Sequence, residues 1–191
     1  MRPIRMRSLA AVLAISGLAG PADVGPASLP AMLERSDGVI AGRIADRSVR
    51  EIDAGDGAPL YLTTLAIIGT DLARTRGDAA PGDAIRVDVS FAGGFLDETR
   101  GGFVASAPPR DHTRVGRDVV AFYRHEDDLV GGVSGNALVG AGSGLFTAFR
   151  SRRGAVIVQG RGRGTAIPRN IALNDLKERA IELETNDDRP R

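Results

Sequence analysis

GVIAGRIADRSV, from Gly38 to Val49, is rich in β-branched residues and reads as one long strand. Gly42 inside it predicts a bulge or bend, which a strand needs if it is to wrap into a barrel. Upstream, Ser28-Leu-Pro-Ala-Met-Leu-Glu-Arg reads as a short helix, with Ser28 as N-cap and Pro30 tolerated in the first turn. Leu29, Met32 and Leu33 would share its apolar face. Downstream, DAGDGAP (Asp53 to Pro59) is turn chemistry, LYLTTLAII (Leu60 to Ile68) a second strand, and GDAAPGD (Gly77 to Asp83) another turn. Ala84 to Phe91 alternates most clearly. Ile85, Val87, Val89 and Phe91 should face a core shared with Val39 or Ile40, Leu65 and Val120, leaving Arg86, Asp88 and Ser90 in water.

Residues 92–117 are rich in Gly, Pro and charge, with Phe103 to Ser106 read as a short strand. Asp118 to Arg124 is the next strand, HEDD (His125 to Asp128) a turn, and Leu129 to Val133 a further strand before a glycine-rich loop. Leu145 to Phe149 and Ala155 to Gln159 form a hairpin around SRRG. Asn174 is placed as the cap of a last helix running to Leu183, with Leu176, Ala180 and Ile181 on its apolar face, before a polar tail, 184–191. Short strands with helices mainly at the ends predict a mainly β fold. The long bent first strand favours a small, partly open OB-like barrel with a short N-terminal and a C-terminal helix.

The succession SDGVIAGRIADRSV, YLTTLAII and PGDAIRVDVSF resembles the netrin-like fold, which includes the N-terminal domain of tissue inhibitors of metalloproteases. The shared pattern is an A/S-D-x-V-I-x-G-x-V strand, an extended strand opening with Tyr, and a third strand after a glycine-containing turn. VGRDVVAFYR is also similar to a V-G-x-x-V-x-x-F strand of exported bacterial proteins with this layout. The resemblance spans Ser36 to Arg150 and rests on core and turn residues, so it implies a fold and not an activity. In the inhibitors a mature N-terminal cysteine chelates the target's zinc. This chain has no cysteine, so no inhibitory residue carries over.

The N-terminus predicts export. Arg2, Arg5 and Arg7 precede the uncharged apolar run Leu9 to Leu18, and small residues then suit cleavage after Ala22 or Ala27. The expected division is therefore a signal peptide at 1–27, one domain at 28–183 and the tail, with secretion or a periplasmic location and no membrane span after cleavage. The segment has no Arg-Arg pair, so a twin-arginine signal is not indicated, and the lack of cysteine excludes a lipid anchor of that kind. Removing its three Arg and one Asp from the chain's 25 basic and 24 acidic residues turns a net charge of +1 into −1. A near-neutral chain with 4% aromatic residues and no Trp gives no reason to expect a nucleic-acid partner. Without cysteine there are no disulfides, thiolate metal sites or cysteine nucleophiles.

Five patterns carry chemistry weakly. His112, in PPRDHTRVG, and His125, in HEDD, each sit beside carboxylates, but neither has metal-ligand spacing, and a polar turn accounts for both. A hydrolase would use His112 with Ser134 or Ser143, but neither serine stands in G-x-S-x-G. Gly135 to Gly140 has phosphate-loop spacing, but Ala141 and Gly142 stand where Lys and Ser/Thr are required, so it reads as a mobile loop. Asp53, Gly55, Asp56 and Gly57 resemble half a calcium loop that lacks its bidentate Glu. Arg152, Arg153, Arg161 and Arg163 could bind a polyanion such as a cell-wall polysaccharide. The leading expectation is an exported, non-enzymatic binding or structural domain without a cofactor, its ligand unknown, with another envelope or extracellular protein as a candidate partner. An envelope hydrolase and a polyanion binder are the alternatives.

Overall fold

The computed structural model describes residues 28–53, 59–74 and 84–187. Residues 1–27, expected to be a signal peptide, most of the DAGDGAP turn and its calcium-like pattern, the GDAAPGD turn and the last four residues lie outside the described residues. Helix α1 is Leu29–Glu34, and Ser28 caps it by accepting from the Ala31 N–H. Met32 is buried, and Leu29 and Leu33 pack on the same cluster, as the spacing predicted.

The strands are β1 (Gly38–Asp53), β2 (Pro59–Arg74), β3 (Ile85–Ala92), β4 (Gly94–Phe95), β5 (Gly101–Gly102), β6 (Asp118–Val130), β7 (Val133–Leu138), β8 (Leu145–Arg150), β9 (Val156–Val158) and β10 (Ile171–Ala172), before helix α2 (Leu173–Asp187). The fold is mainly β. One large sheet runs β1-β2-β3-β7-β6-β8-β9-β10, while β4 and β5 form a separate two-stranded piece. In addition, Gly38–Arg43 of β1 pairs with Asp118–Tyr123 of β6. The β3–β7 contact is parallel and short, Val89 opposite Asn136 and Ser90 opposite Ala137.

Two apolar clusters explain the sequence pattern. The inner one joins Ile40, Ile44, Leu65, Ile67, Val87, Val89, Phe91, Val119, Ala121, Leu138 and Leu145. The outer one joins Met32, Val39, Val120, Phe122, Phe146, Val158, Ile167, Leu176 and Ala180. The first parts of β1 and β6, Gly38 to Ile40 and Val119 to Phe122, are thus buried on both faces, and for this reason GVI and DVVAF read as continuous apolar runs and not as alternation. Phe122 meets Phe146 edge-on, ring centroids 5.8 Å apart.

Several expectations are corrected. Val120 faces the outer cluster, and its neighbours Val119 and Ala121 supply the inner one. Ser90 is buried, because its hydroxyl pairs with that of Thr64 across β2 and β3 at 2.9 Å. The β1 bulges fall at Val39/Ile40 and Ile44/Asp46, on either side of Gly42. Gly42 serves close approach instead: a Cβ there would lie 2.3 Å from the Ile68 carbonyl oxygen. Phe103 to Ser106 is not a strand, and Phe103 is 84% exposed. HEDD continues β6 and does not turn. The reversal comes at Gly131 and Gly132, both at positive φ, with the Gly132 N–H held by the Asp128 carboxylate. Val133–Leu138, read as the end of one strand and a glycine loop, is β7. The β8–β9 hairpin stands as expected. Asn174 lies inside α2, not at its cap, and the helix runs to Asp187. Leu176 and Ala180 are buried, but Ile181 is 44% exposed, a step of about 100° round the helix from Ala180.

Candidate binding groove

His112 lies in a single 3-10 turn, Arg110–Thr113, that packs against β8. Burial, then the nearby positive charges of Arg161 and Arg117, hold its pKa below the ordinary value, and Asp111 only partly opposes them. Its Nδ1 is buried without a hydrogen-bond partner. Among the described residues no hydrogen bond joins His112 to Ser134 or Ser143. Ser143 belongs to the 3-10 turn Ala141–Gly144 and helps link β7 to β8.

Ser134 meets the other histidine. Residues Val133–Leu138 pair with β6, and this brings Ser134 Oγ to 3.2 Å from His125 Nε2. A hydrolase triad needs its carboxylate on the opposite ring nitrogen, where it fixes the tautomer. Here Asp127 Oδ1 lies 3.9 Å from the same Nε2, and its side chain is fully exposed. The pair is open to water, and among the described residues no carboxylate bonds the opposite ring nitrogen; Asp37, which also reaches His125, accepts from its backbone N–H at 2.7 Å. The other carboxylates of HEDD are engaged locally: Glu126 with Arg124, Asp128 with the Gly132 N–H. Among the described residues no group of three His, Asp or Glu side chains could hold a metal, and no helix is long and apolar enough to cross a membrane.

The four arginines of the C-terminal hairpin divide. Arg152 and Arg153 are exposed in the β8–β9 turn, whereas Arg161 and Arg163 follow the other end of β9. Arg161 has a structural task. Its Nη1 donates to the Gly142 carbonyl at 2.5 Å, its guanidinium lies 5.9 Å from the Phe146 ring centre, and burial lowers its pKa. The loop after β9 folds back through Arg161 N–H to Ile167 O, 2.9 Å, so that Ala166 and Ile167 enter the outer cluster.

A different set of arginines converges. Arg43, Arg114, Arg117 and Arg150 line one open groove of about 460 Å³ with Val115, Gly116, Asp118, Ala148 and Phe149. One wall is the turn Arg114–Arg117, closed by Arg117 N–H to Arg114 O at 3.1 Å. Gly116 sits third in that turn at φ +84, where a side chain would be strained. Two bonds dock it on β1: Gly116 N–H to Ile44 O, 2.7 Å, and Ile44 N–H to Arg117 O, 2.9 Å. The floor is the end of β8, where the buried pattern of LFTA gives way to exposed Phe149 and Arg150.

The charges in the groove are unequally compensated. Arg43 lies opposite Asp118 across β1 and β6 and contacts both its carboxylate oxygens, at 2.9 and 3.4 Å, which raises the guanidinium pKa. Arg114 pairs with Asp111 at 2.7 Å. Arg117 donates only to the Asp111 backbone carbonyl, at 3.3 Å. Neither Arg117 nor Arg150 has a carboxylate partner among the described residues. Sequence reasoning did not assemble this set, because its members belong to three segments that only the β1–β6 and β6–β8 pairings bring together.

A scan of protein-family models finds no match to this chain, and searches of curated proteins and of solved structures find none either.

Proposed function

We propose that this chain is an exported, non-enzymatic binding domain on a partly open OB-like, netrin-like barrel, and that the groove between β1, the Arg114–Arg117 turn and β8 takes an anionic ligand. The observation that carries the reading is the convergence there of four guanidinium groups, two of them without a carboxylate partner among the described residues. The barrel reading is supported by the strand order β1-β2-β3-β7-β6, the return of β6 to β1, and the parallel β3–β7 seam, which together follow a Greek-key path. Export is supported by Arg2, Arg5 and Arg7 ahead of the apolar run. A binding role is favoured over hydrolysis because the carboxylate near Ser134 and His125 stands on the wrong ring nitrogen.

The test is an amide NMR titration of the secreted protein with inorganic phosphate at low salt. Shifts should concentrate at Arg43, residues 114–118 and residues 148–150, and fade as salt rises, because an exposed site is screened. Shifts centred on Arg152 and Arg153, or none at all, would overturn the site. Intact mass of the secreted product should begin at Asp23 or Ser28, and recovery of full-length protein would refute export.

A further inference from the structure

Resting on the groove as the binding site, we propose that its ligand is a small amphiphilic anion: one carboxylate or phosphate group held by Arg117 and Arg150, with an apolar group lying on Val115 and Phe149. Both apolar side chains line the groove beside its arginines, and they remain 59% and 45% exposed. Packing does not explain Phe149, since β8 buries Leu145 to Ala148 and then turns outward. A purely ionic site gains nothing from bare apolar walls, but a ligand with an apolar portion does, by removing both surfaces from water.

The charge balance argues for a small anion and against a polymer. Four arginines face the groove, but Asp118 lines it too and Asp111 stands behind Arg114. The local excess is therefore two positive charges, both on residues that no carboxylate among the described residues neutralises. This suits one carboxylate or phosphate group. Beyond Arg117 and Arg150, a chain of repeated anions would meet only guanidinium groups already paired with Asp118 and Asp111. The groove is open to solvent, and its volume of about 460 Å³ leaves room for a small organic group lying along it. The turn carrying Val115 and Arg117 is pinned to β1 at Ile44, so the two kinds of contact are held in register before a ligand arrives.

The experiment compares inorganic phosphate, octyl phosphate, octanoate and a heparin hexasaccharide by calorimetry and NMR on the same protein. Octyl phosphate is expected to bind roughly 30-fold tighter than phosphate, as two or three covered methylenes would give. Octanoate should share the site by competition. Phe149→Ala and Val115→Ser should remove most of the chain-length advantage, read as the ratio of octyl phosphate to phosphate affinity within each variant. Arg117→Ala with Arg150→Ala should abolish binding of both. All four positions are exposed at the groove, and unchanged circular dichroism checks that each variant folds. Equal affinity for phosphate and octyl phosphate in the groove refutes the amphiphile and leaves the anion site standing. A hexasaccharide that binds tighter than octyl phosphate and displaces it refutes the amphiphile in favour of a polyanion. If no probe shifts the groove residues, both readings fail.

Discussion

Val89→Ala tests the two-layer core directly. Val89 is fully buried in β3, opposite Leu65 of β2, within the inner cluster. The substitution removes two methyl groups, about 1.6 kcal/mol at the usual gain per buried carbon. The surrounding strands are held by ladders on both sides and can collapse only partly. A residual void of about 40 Å³ then adds about 1 kcal/mol, for a total near 2.5 kcal/mol. Urea unfolding followed by circular dichroism should show this loss in the midpoint with an unchanged slope, and the melting temperature should fall by about 5–10 °C. Val120→Ala is the partner experiment. Val120 is equally buried but belongs to the outer cluster. It should cost a similar amount, and the double variant should be additive to within about 0.5 kcal/mol. A loss below about 0.5 kcal/mol for Val89→Ala would refute its burial. Strong non-additivity would show that the two layers are one.

Gly42→Ala should cost at least about 2 kcal/mol in the same assay, since its Cβ would meet the backbone of β2 at 2.3 and 2.7 Å while β6 holds the other side. Gly132→Ala, at φ +76 with open space around it, should cost about 1–2 kcal/mol through its backbone conformation alone, and a larger loss there than at Gly42 would contradict the close approach. Arg161→Ala should lower stability by about 1–2 kcal/mol through the lost bond to Gly142 and the contact with Phe146, while the exposed Arg163→Ala should be near neutral in a thermal melt. His112 has a folded pKa below its ordinary 6.5, so its neutral form favours the fold. That contribution is complete above about pH 6.5 and is lost as the pH falls from there toward the folded value. The urea midpoint of the wild type should therefore drop more steeply between about pH 7 and 5 than that of His112→Gln. Parallel profiles would show that His112 is not held neutral.

Much of the local structure was legible in the chain. The alternation of Ile85 to Phe91, the Ser28 cap and the LFTAF hairpin each rest on interactions within a few residues, and such signals survive in sequence order. The errors share one cause. Gly131, Gly132 and Gly135 made the start of β7 look like a loop, because glycine reports backbone freedom and not the partner that will use it. HEDD looked like a turn because its charges are polar in any conformation, and only pairing with Asn136 and Gly135 shows that His125 and Glu126 lie in a ladder.

The candidate site divides in the same way. Sequence order picked out His112, His125, Ser134 and the arginines clustered at 152–163, since adjacency is all it displays. The strand pairings set Ser134 against His125 and bonded Arg161 to a carbonyl, and they gathered Arg43, Arg114, Arg117 and Arg150 from distant segments. The sequence by itself determined the mainly β class, the end helices and the inner-face alternation of β3, because periodicity and capping act over a few residues. Which residues share a groove was decided only by the tertiary structure: Arg43 and Asp118 stand 75 residues apart in sequence and meet because the first part of β1 hydrogen-bonds β2 along one edge and β6 along the other, which sets Arg43 opposite Asp118.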